Sequence, residues 1–281
     1  MDCFLRRWTC GIRRTGLAAS LALAAITAPA LGGEIYLRET FEAAKADGRV
    51  LPSDSTGVFP PQDIAHPNSC YFAHDQGLIA AGLAGSRQAL RAIDSSDGNS
   101  ALRVDWLAAK PVPPVATLQF DLKLNGLDAS PRVKSVVPFT LILRAKDQAP
   151  IFTTMLHNDR NGFAVRTRAA TREYELHGDG SQLLLNDREY RFVYRVDLTG
   201  RKLHLTVTDP VSGAVVLGPT EQALSSTLPA EAAITAVSVS FGSPDFASQA
   251  GAAQEYVTFD NLLVCDPDVK DGLTAAGTSK P

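Results

Sequence analysis

The stretch Tyr190-Arg191-Phe192-Val193-Tyr194-Arg195-Val196-Asp197-Leu198-Thr199-Gly200-Arg201-Lys202-Leu203-His204-Leu205-Thr206-Val207 decides the fold. Tyr190, Phe192, Tyr194, Val196 and Leu198 share one parity, and Arg191, Arg195 and Asp197 share the other. Past Gly200, the apolar Leu203, Leu205 and Val207 alternate with Lys202, His204, Thr206 and Thr208. A period of two places one set of side chains against a core and the other toward water, which is a half-buried strand. Asp197-Leu198-Thr199-Gly200 supplies the carboxylate and the permissive residue that a tight reversal needs. The stretch therefore reads as a β-hairpin.

The same alternation recurs on both sides of it. Leu118, Phe120, Leu122 and Leu124 form one series, and Phe139, Leu141 and Leu143 another. Phe163 with Val165, and Val237, Val239 and Phe241, continue the pattern. Between the runs lie Asn158–Gly162, His177–Gly180 and Asp209–Gly213, all turn chemistry. Regularly spaced strands joined by short turns predict an all-β, antiparallel β-sandwich or barrel rather than a parallel sheet. Helical spacing is confined to Ile79–Leu90 and Gln222–Leu228, each long enough for a turn or two. In Glu255–Val264 the apolar parity switches between Val257/Phe259 and Leu262/Val264, so a β-bulge is expected at Asp260-Asn261.

The N-terminus reads as an address. Arg6, Arg7, Arg13 and Arg14 precede an apolar run from Leu17 to Ile26, and Ala28-Pro29-Ala30 follows. This is the pattern of a secretory signal peptide, expected to be removed at Ala30. Its apolar run is shorter than the ~20 residues of a membrane span. The organisation that follows is a signal peptide over 1–30, a single β-sandwich domain over 31–266, and a polar, disordered tail over 267–281. The implied location is secreted or periplasmic, without a transmembrane anchor after cleavage.

Of the 281 residues, 27 are Lys or Arg and 30 are Asp or Glu. Removing 1–30 takes away four Arg and Asp2, leaving 23 basic and 29 acidic side chains and a net charge of −6. No global basic field recruits nucleic acid. Cleavage also removes Cys3 and Cys10, so Cys70 and Cys265 remain, and an oxidising compartment predicts a disulfide between them.

Residues 160–202 depart from the acidic background. Nine cations (Arg160, Arg166, Arg168, Arg172, Arg188, Arg191, Arg195, Arg201, Lys202) face six acids (Glu173, Glu175, Asp179, Asp187, Glu189, Asp197). Arg166, Arg168, Arg191 and Arg195 take the outward parity of strands near one another in sequence, and His204 joins them as a ligand-binding candidate. Guanidinium forks match carboxylates and sulfates, so one arginine-lined sheet face is expected to bind acidic glycan. Trp106 shares the parity of Leu102 and Val104 and is expected inside, leaving Tyr36, Tyr71 and Tyr174 as exposed aromatic candidates.

The layout resembles the concanavalin A-like (laminin G-like) jelly rolls. Glu39-Thr40-Phe41-Glu42 resembles their first strand, Ala89-Leu90-Arg91 an early inner strand, and Tyr190–Val207 their Asp-Gly hairpin. Tyr256-Val257-Thr258-Phe259-Asp260-Asn261-Leu262-Leu263-Val264 resembles their closing strand. The resemblance implies binding of a polysaccharide or cell-surface glycan. It also implies a structural Ca²⁺ where first and last strands meet, held by Glu42 and Asp260. Its enzymes are polysaccharide lyases and glycoside hydrolases. Tyr190, Arg191, Tyr194, Arg195 and His204 are the residue types of a lyase, yet the Arg-x-Glu-x-Arg and Gln-x-His motifs are absent. Glu173 and Glu175 are the nearest approach to a hydrolase pair. His66, Cys70 and His74 would share a face only on a helix, which Pro67 opposes. The reading is a secreted, non-catalytic glycan-binding module. A lyase or hydrolase, and a structural or adhesion protein without sugar specificity, are the alternatives.

Overall fold

A computed structural model describes residues 33–42, 71–73, 76–94, 101–108, 110–126, 137–146, 149–159, 162–171, 173–178, 180–229, 232–242 and 254–269. Fifteen strands are formed among the described residues: β1 Ile35–Glu39, β2 Tyr71–Ala73, β3 Gln76–Ala81, β4 Gln88–Asp94, β5 Ala101–Leu107, β6 Val115–Leu124, β7 Phe139–Ala145 and β8 Pro150–Asp159. The others are β9 Gly162–Arg168, β10 Glu175–Leu176, β11 Glu189–Asp197, β12 Lys202–Thr208, β13 Val215–Ala223, β14 Ile234–Phe241 and β15 Gln254–Cys265.

Two antiparallel sheets result. The eight-stranded sheet runs β13-β12-β11-β6-β15-β4-β3, with β1 also paired to β15, and the seven-stranded sheet runs β10-β9-β8-β7-β14-β5-β2. The alternation read from sequence sets which side chains lie between them. Phe192, Tyr194, Val196, Leu203, Leu205 and Val207 are fully buried, opposite Phe139, Leu141, Leu143, Val237 and Val239. Phe120 stacks on Phe192 with ring centroids 4.8 Å apart and meets Phe139 of the facing sheet at 5.5 Å. Aromatic contacts of this kind stabilise beyond their buried area.

The hairpin forms as read: Asp197 pairs with Lys202, and the Gly200 amide donates to Asp197 Oδ1 at 2.6 Å. The bulge also forms. Asp260 pairs with Asp121 and Leu263 with Gln119, so β15 spends one extra residue there, and Asn261 takes the left-handed φ of 53°. That insertion lets Phe259 and Leu262 both enter the core.

Some expectations are corrected. Ile79–Leu90 runs through the β3–β4 hairpin rather than a helical turn, and residues 222–223 end β13. Short apolar runs fit either period, and pairing partners decide between them. The first strand lies earlier than Glu39–Glu42: it ends at Glu39, and Phe41 has a φ of 55°. Tyr36 is buried, its hydroxyl donating to Asp266 Oδ1 at 2.6 Å. Trp106 is in the core, as its parity requires. The signal segment, most of the tail, Cys70, His66 and His74 lie outside the described residues.

Candidate functional site

The five candidate ligand-binding residues do not share a face. Arg166 and Arg168 belong to β9 of the seven-stranded sheet, whereas Arg191, Arg195 and His204 belong to β11 and β12 of the eight-stranded one. Parity tells which side of a strand faces away from the core but not which sheet holds the strand. The chain between β9 and β11 changes sheets, so the expected single arginine face is split between the two.

On the eight-stranded sheet the charges are largely committed to protein. Arg191 donates to both oxygens of Asp121, Nε at 2.8 Å and a terminal nitrogen at 2.9 Å. Asp121 is fully buried and also accepts the Asn261 side-chain amide at 2.8 Å, so Arg191 serves the bulge rather than a ligand. His204 lies 3.6 Å from Glu221, which also pairs with Lys202 at 3.0 Å. Arg195 is exposed and pairs with His204 across the ladder.

The seven-stranded sheet offers more. Because Phe139, Leu141, Val165, Val239 and Val104 point inward, Thr140, Ile142, Arg144, Arg166, Arg168, Ser238 and Asp105 point outward. The register aligns Arg168, Thr153, Ile142, Ser238 and Asp105 in one row, and Arg166, Met155, Thr140 and Ser240 in the next. Arg144 Nε donates to the Ser238 hydroxyl at 2.6 Å. The Arg168 guanidinium sits 5.1 Å from the Tyr174 ring centroid. Asp105, Ser238 and Thr153 are only 2%, 1% and 3% exposed although they face away from the core, so neighbouring groups cover this part of the face. Arg166 Nε is buried there without a hydrogen-bond partner among the described residues. Arg168 and Arg166 thus stand in adjacent rows of this face, the first of which also holds Asp105, and Arg144 reaches that first row through its bond to Ser238.

The calcium pair faces hydrogen donors. Glu42 Oε1 accepts the Arg87 amide at 2.6 Å and the Gln88 amide at 3.3 Å, and its Oε2 accepts Arg87 Nε at 2.8 Å. Asp260 Oδ2 accepts the Leu83 amide at 3.0 Å and the Ser86 hydroxyl, and Oδ1 accepts the Asn261 amide at 2.7 Å. Burial, opposed by these donors, raises the Asp260 carboxyl to about 7. A hard cation needs converging oxygens. Among the described residues no group of three acidic, His or Cys side chains converges, and this donor set does not suit Ca²⁺.

Cys265 is buried, which raises its thiol, when reduced, to about 11, and its expected partner Cys70 lies outside the described residues. Glu173 and Glu175 are both exposed. A third arrangement went unread in the sequence. His177, 2% exposed, bonds Thr220 Oγ1 through Nδ1 at 2.7 Å and Thr167 Oγ1 through Nε2 at 2.8 Å. Thr167 meets Thr154 at 2.7 Å, and the Tyr194 hydroxyl donates to Thr154 at 3.0 Å. This buried network joins the two sheets, since Tyr194 and Thr220 lie in one and Thr154 and Thr167 in the other. Its only sequence signal is threonine at core parity.

No protein-family model and no curated protein matches the sequence. Among solved structures, the chain is similar to a carbohydrate esterase from the Shiga toxin-encoding bacteriophage phi24B, with a TM-score of 0.53 at 10% identity, covering 84% of this chain and 99% of that one. A PL-14 alginate lyase from Aplysia kurodai aligns with a TM-score of 0.45 at 12% identity, over 70% and 90% of the two chains. Lectin II from Ulex europaeus aligns with a TM-score of 0.43 at 13% identity, over 74% and 95%. Two antiparallel sheets with this strand order, and the likeness to the esterase, make the fold of this protein a jelly-roll β-sandwich.

Proposed function

We propose that the protein is an exported, non-catalytic module that binds acidic glycan across the outward face of its seven-stranded sheet. The observation that carries this reading is Arg166, half-buried at the outward parity of β9, two residues from Arg168. A guanidinium held in place by partial burial presents a fork that a ligand carboxylate or sulfate matches bidentately. Arg144 and Arg168 extend the same charge along the face, while the half-buried Thr140 and Ser240 carry hydroxyls suited to sugar OH groups. Tyr174 lies against Arg168 and serves the cation rather than an open stacking surface. Recognition therefore rests on charge and hydrogen bonds.

The test is an array of neutral and acidic polysaccharides probed with the exported protein, with reducing ends and unsaturated products assayed in the same wells. Saturable binding to acidic polysaccharides without product is the expected result. Product formation would replace the reading with a lyase or hydrolase. Silence in both would replace it with a structural or adhesion role.

A further inference from the structure

We propose a second binding site on the opposite sheet, a cleft that takes a small sugar acid by its carboxylate. It stands apart from the arginine face of the seven-stranded sheet and does not rest on that face binding glycan. The cleft has a volume of about 370 Å³ and is bounded by Gly82 and Leu83 of the β3–β4 turn, Arg91, Lys123, Asn125 and Glu189. That size lies within the roughly 300–1,000 Å³ of small-molecule sites.

Its floor is one row of the ladder. Arg91 of β4 pairs with Thr258 of β15, Thr258 with Lys123 of β6, and Lys123 with Glu189 of β11. Four adjacent strands thus present a cation, a hydroxyl, a second cation and a carboxylate in order. The wall is the β3–β4 turn, tied down by two buried or half-buried acids. Leu83 N donates to Asp260 Oδ2 at 3.0 Å, and Ala84 N donates to Glu189 Oε2 at 2.8 Å. The turn is tight by construction, because a Cβ on Gly82 would lie 2.7 Å from the Ser86 carbonyl oxygen.

This tether has a chemical consequence. Glu189 gives one oxygen to a backbone amide of the wall, and Lys123, its cross-strand neighbour, makes no ion pair among the described residues. Lys123 is half-buried, so its charge is shielded little by water. Asn125 donates to Thr258 Oγ1 at 3.0 Å, which leaves the threonine's own hydrogen to donate. An anionic head set between Lys123 and Arg91 would meet two cations and that hydroxyl. The second oxygen of Glu189 accepts a hydroxyl hydrogen and repels a bare dianion. A hydroxylated monocarboxylate meets both cations, the threonine hydrogen and the Glu189 oxygen, whereas hydrogen phosphate brings a second negative charge against Glu189.

The experiment follows the backbone amides of Gly82, Ala84 and Gly126 by NMR while the full exported protein is titrated with D-glucuronate, D-glucose or inorganic phosphate. Saturable shifts with glucuronate are expected, with at least tenfold weaker response to glucose and to phosphate. Lys123→Met should weaken the glucuronate response at least tenfold, and Lys123→Arg should restore most of it. Arg166→Ala should leave these amides' response unchanged, which separates this cleft from the other face. Glucuronate shifts that persist in Lys123→Met, an absence of shifts at the turn, or phosphate binding as well as glucuronate would overturn the proposal.

Discussion

Arg191 and Arg166 show how two arginines of one sequence cluster come to different work. Arg191 neutralises the buried Asp121, and its removal leaves that carboxylate uncompensated. Arg191→Ala is expected to cost about 3–5 kcal/mol of stability, read by denaturant unfolding, with glycan affinity of the folded fraction unchanged. A variant of unaltered stability would show that the pair is dispensable. His177 and Asp260 set opposing pH responses. Burial lowers His177 from 6.5 to about 4, so its neutral form contributes stability that is present above pH 6.5 and lost as pH falls toward 4. Burial raises Asp260 from 3.8 to about 7, so its contribution is present below pH 3.8 and lost as pH rises toward 7. Relative to wild type, His177→Gln should therefore lose ground as pH rises from 4 to 6.5, and Asp260→Asn should gain it. Each slope approaches ~1.4 kcal/mol per pH unit at its steepest. Chemical unfolding at several pH values reads both, and parallel curves for all three proteins would contradict the assignment.

Among the elements, β15 holds most of the information. Its parity switch was legible because Val257/Phe259 and Leu262/Val264 can share a core only across an inserted residue, and the bulge lies at Asp260-Asn261 as that requires. Asn261 tolerates the positive φ and donates to Asp121. Asn261→Gly keeps the backbone and loses the bond, which should cost about 1–2 kcal/mol. Asn261→Val adds left-handed strain for a β-branched residue, for about 2–4 kcal/mol in all. Equal unfolding midpoints for the two variants would mean the left-handed conformation carries no strain. The hairpin β11–β12 was equally legible, since its alternation and its Asp-Gly turn are local. The β3–β4 hairpin was not. Its run Ile79–Leu90 fits a short helical stripe as well as strands, and only pairing with β15 decides between them.

At the scale of the whole molecule, the fold was readable and the site was half readable. Alternation reports the inner and outer side of each strand, so the core and the antiparallel all-β class follow from sequence. Sheet membership depends on long-range pairing, and the split of Arg166 and Arg168 from Arg191, Arg195 and His204 follows from that alone. The Lys123 cleft was invisible for the same reason, because four strands distant in sequence supply its floor. Cys265 of β15 is proposed to close most of the domain by pairing with Cys70. In the chain-entropy account that closure is worth about 4–5 kcal/mol. Thiol titration of the unfolded, exported protein should find none before reduction and two after it. Two thiols without reductant would remove the pairing.

The central claim is that acidic glycan lies across the seven-stranded sheet at Arg166. Calorimetric titration with polygalacturonate tests it most directly, using wild type, Arg166→Ala and Arg195→Ala. Loss of a buried guanidinium–carboxylate contact is worth about 1.5–3 kcal/mol, so Arg166→Ala should weaken binding by roughly 10- to 100-fold. Arg195→Ala, on the other sheet, should leave it within about twofold. Equal binding by wild type and Arg166→Ala, or a loss confined to Arg195→Ala, would contradict the account.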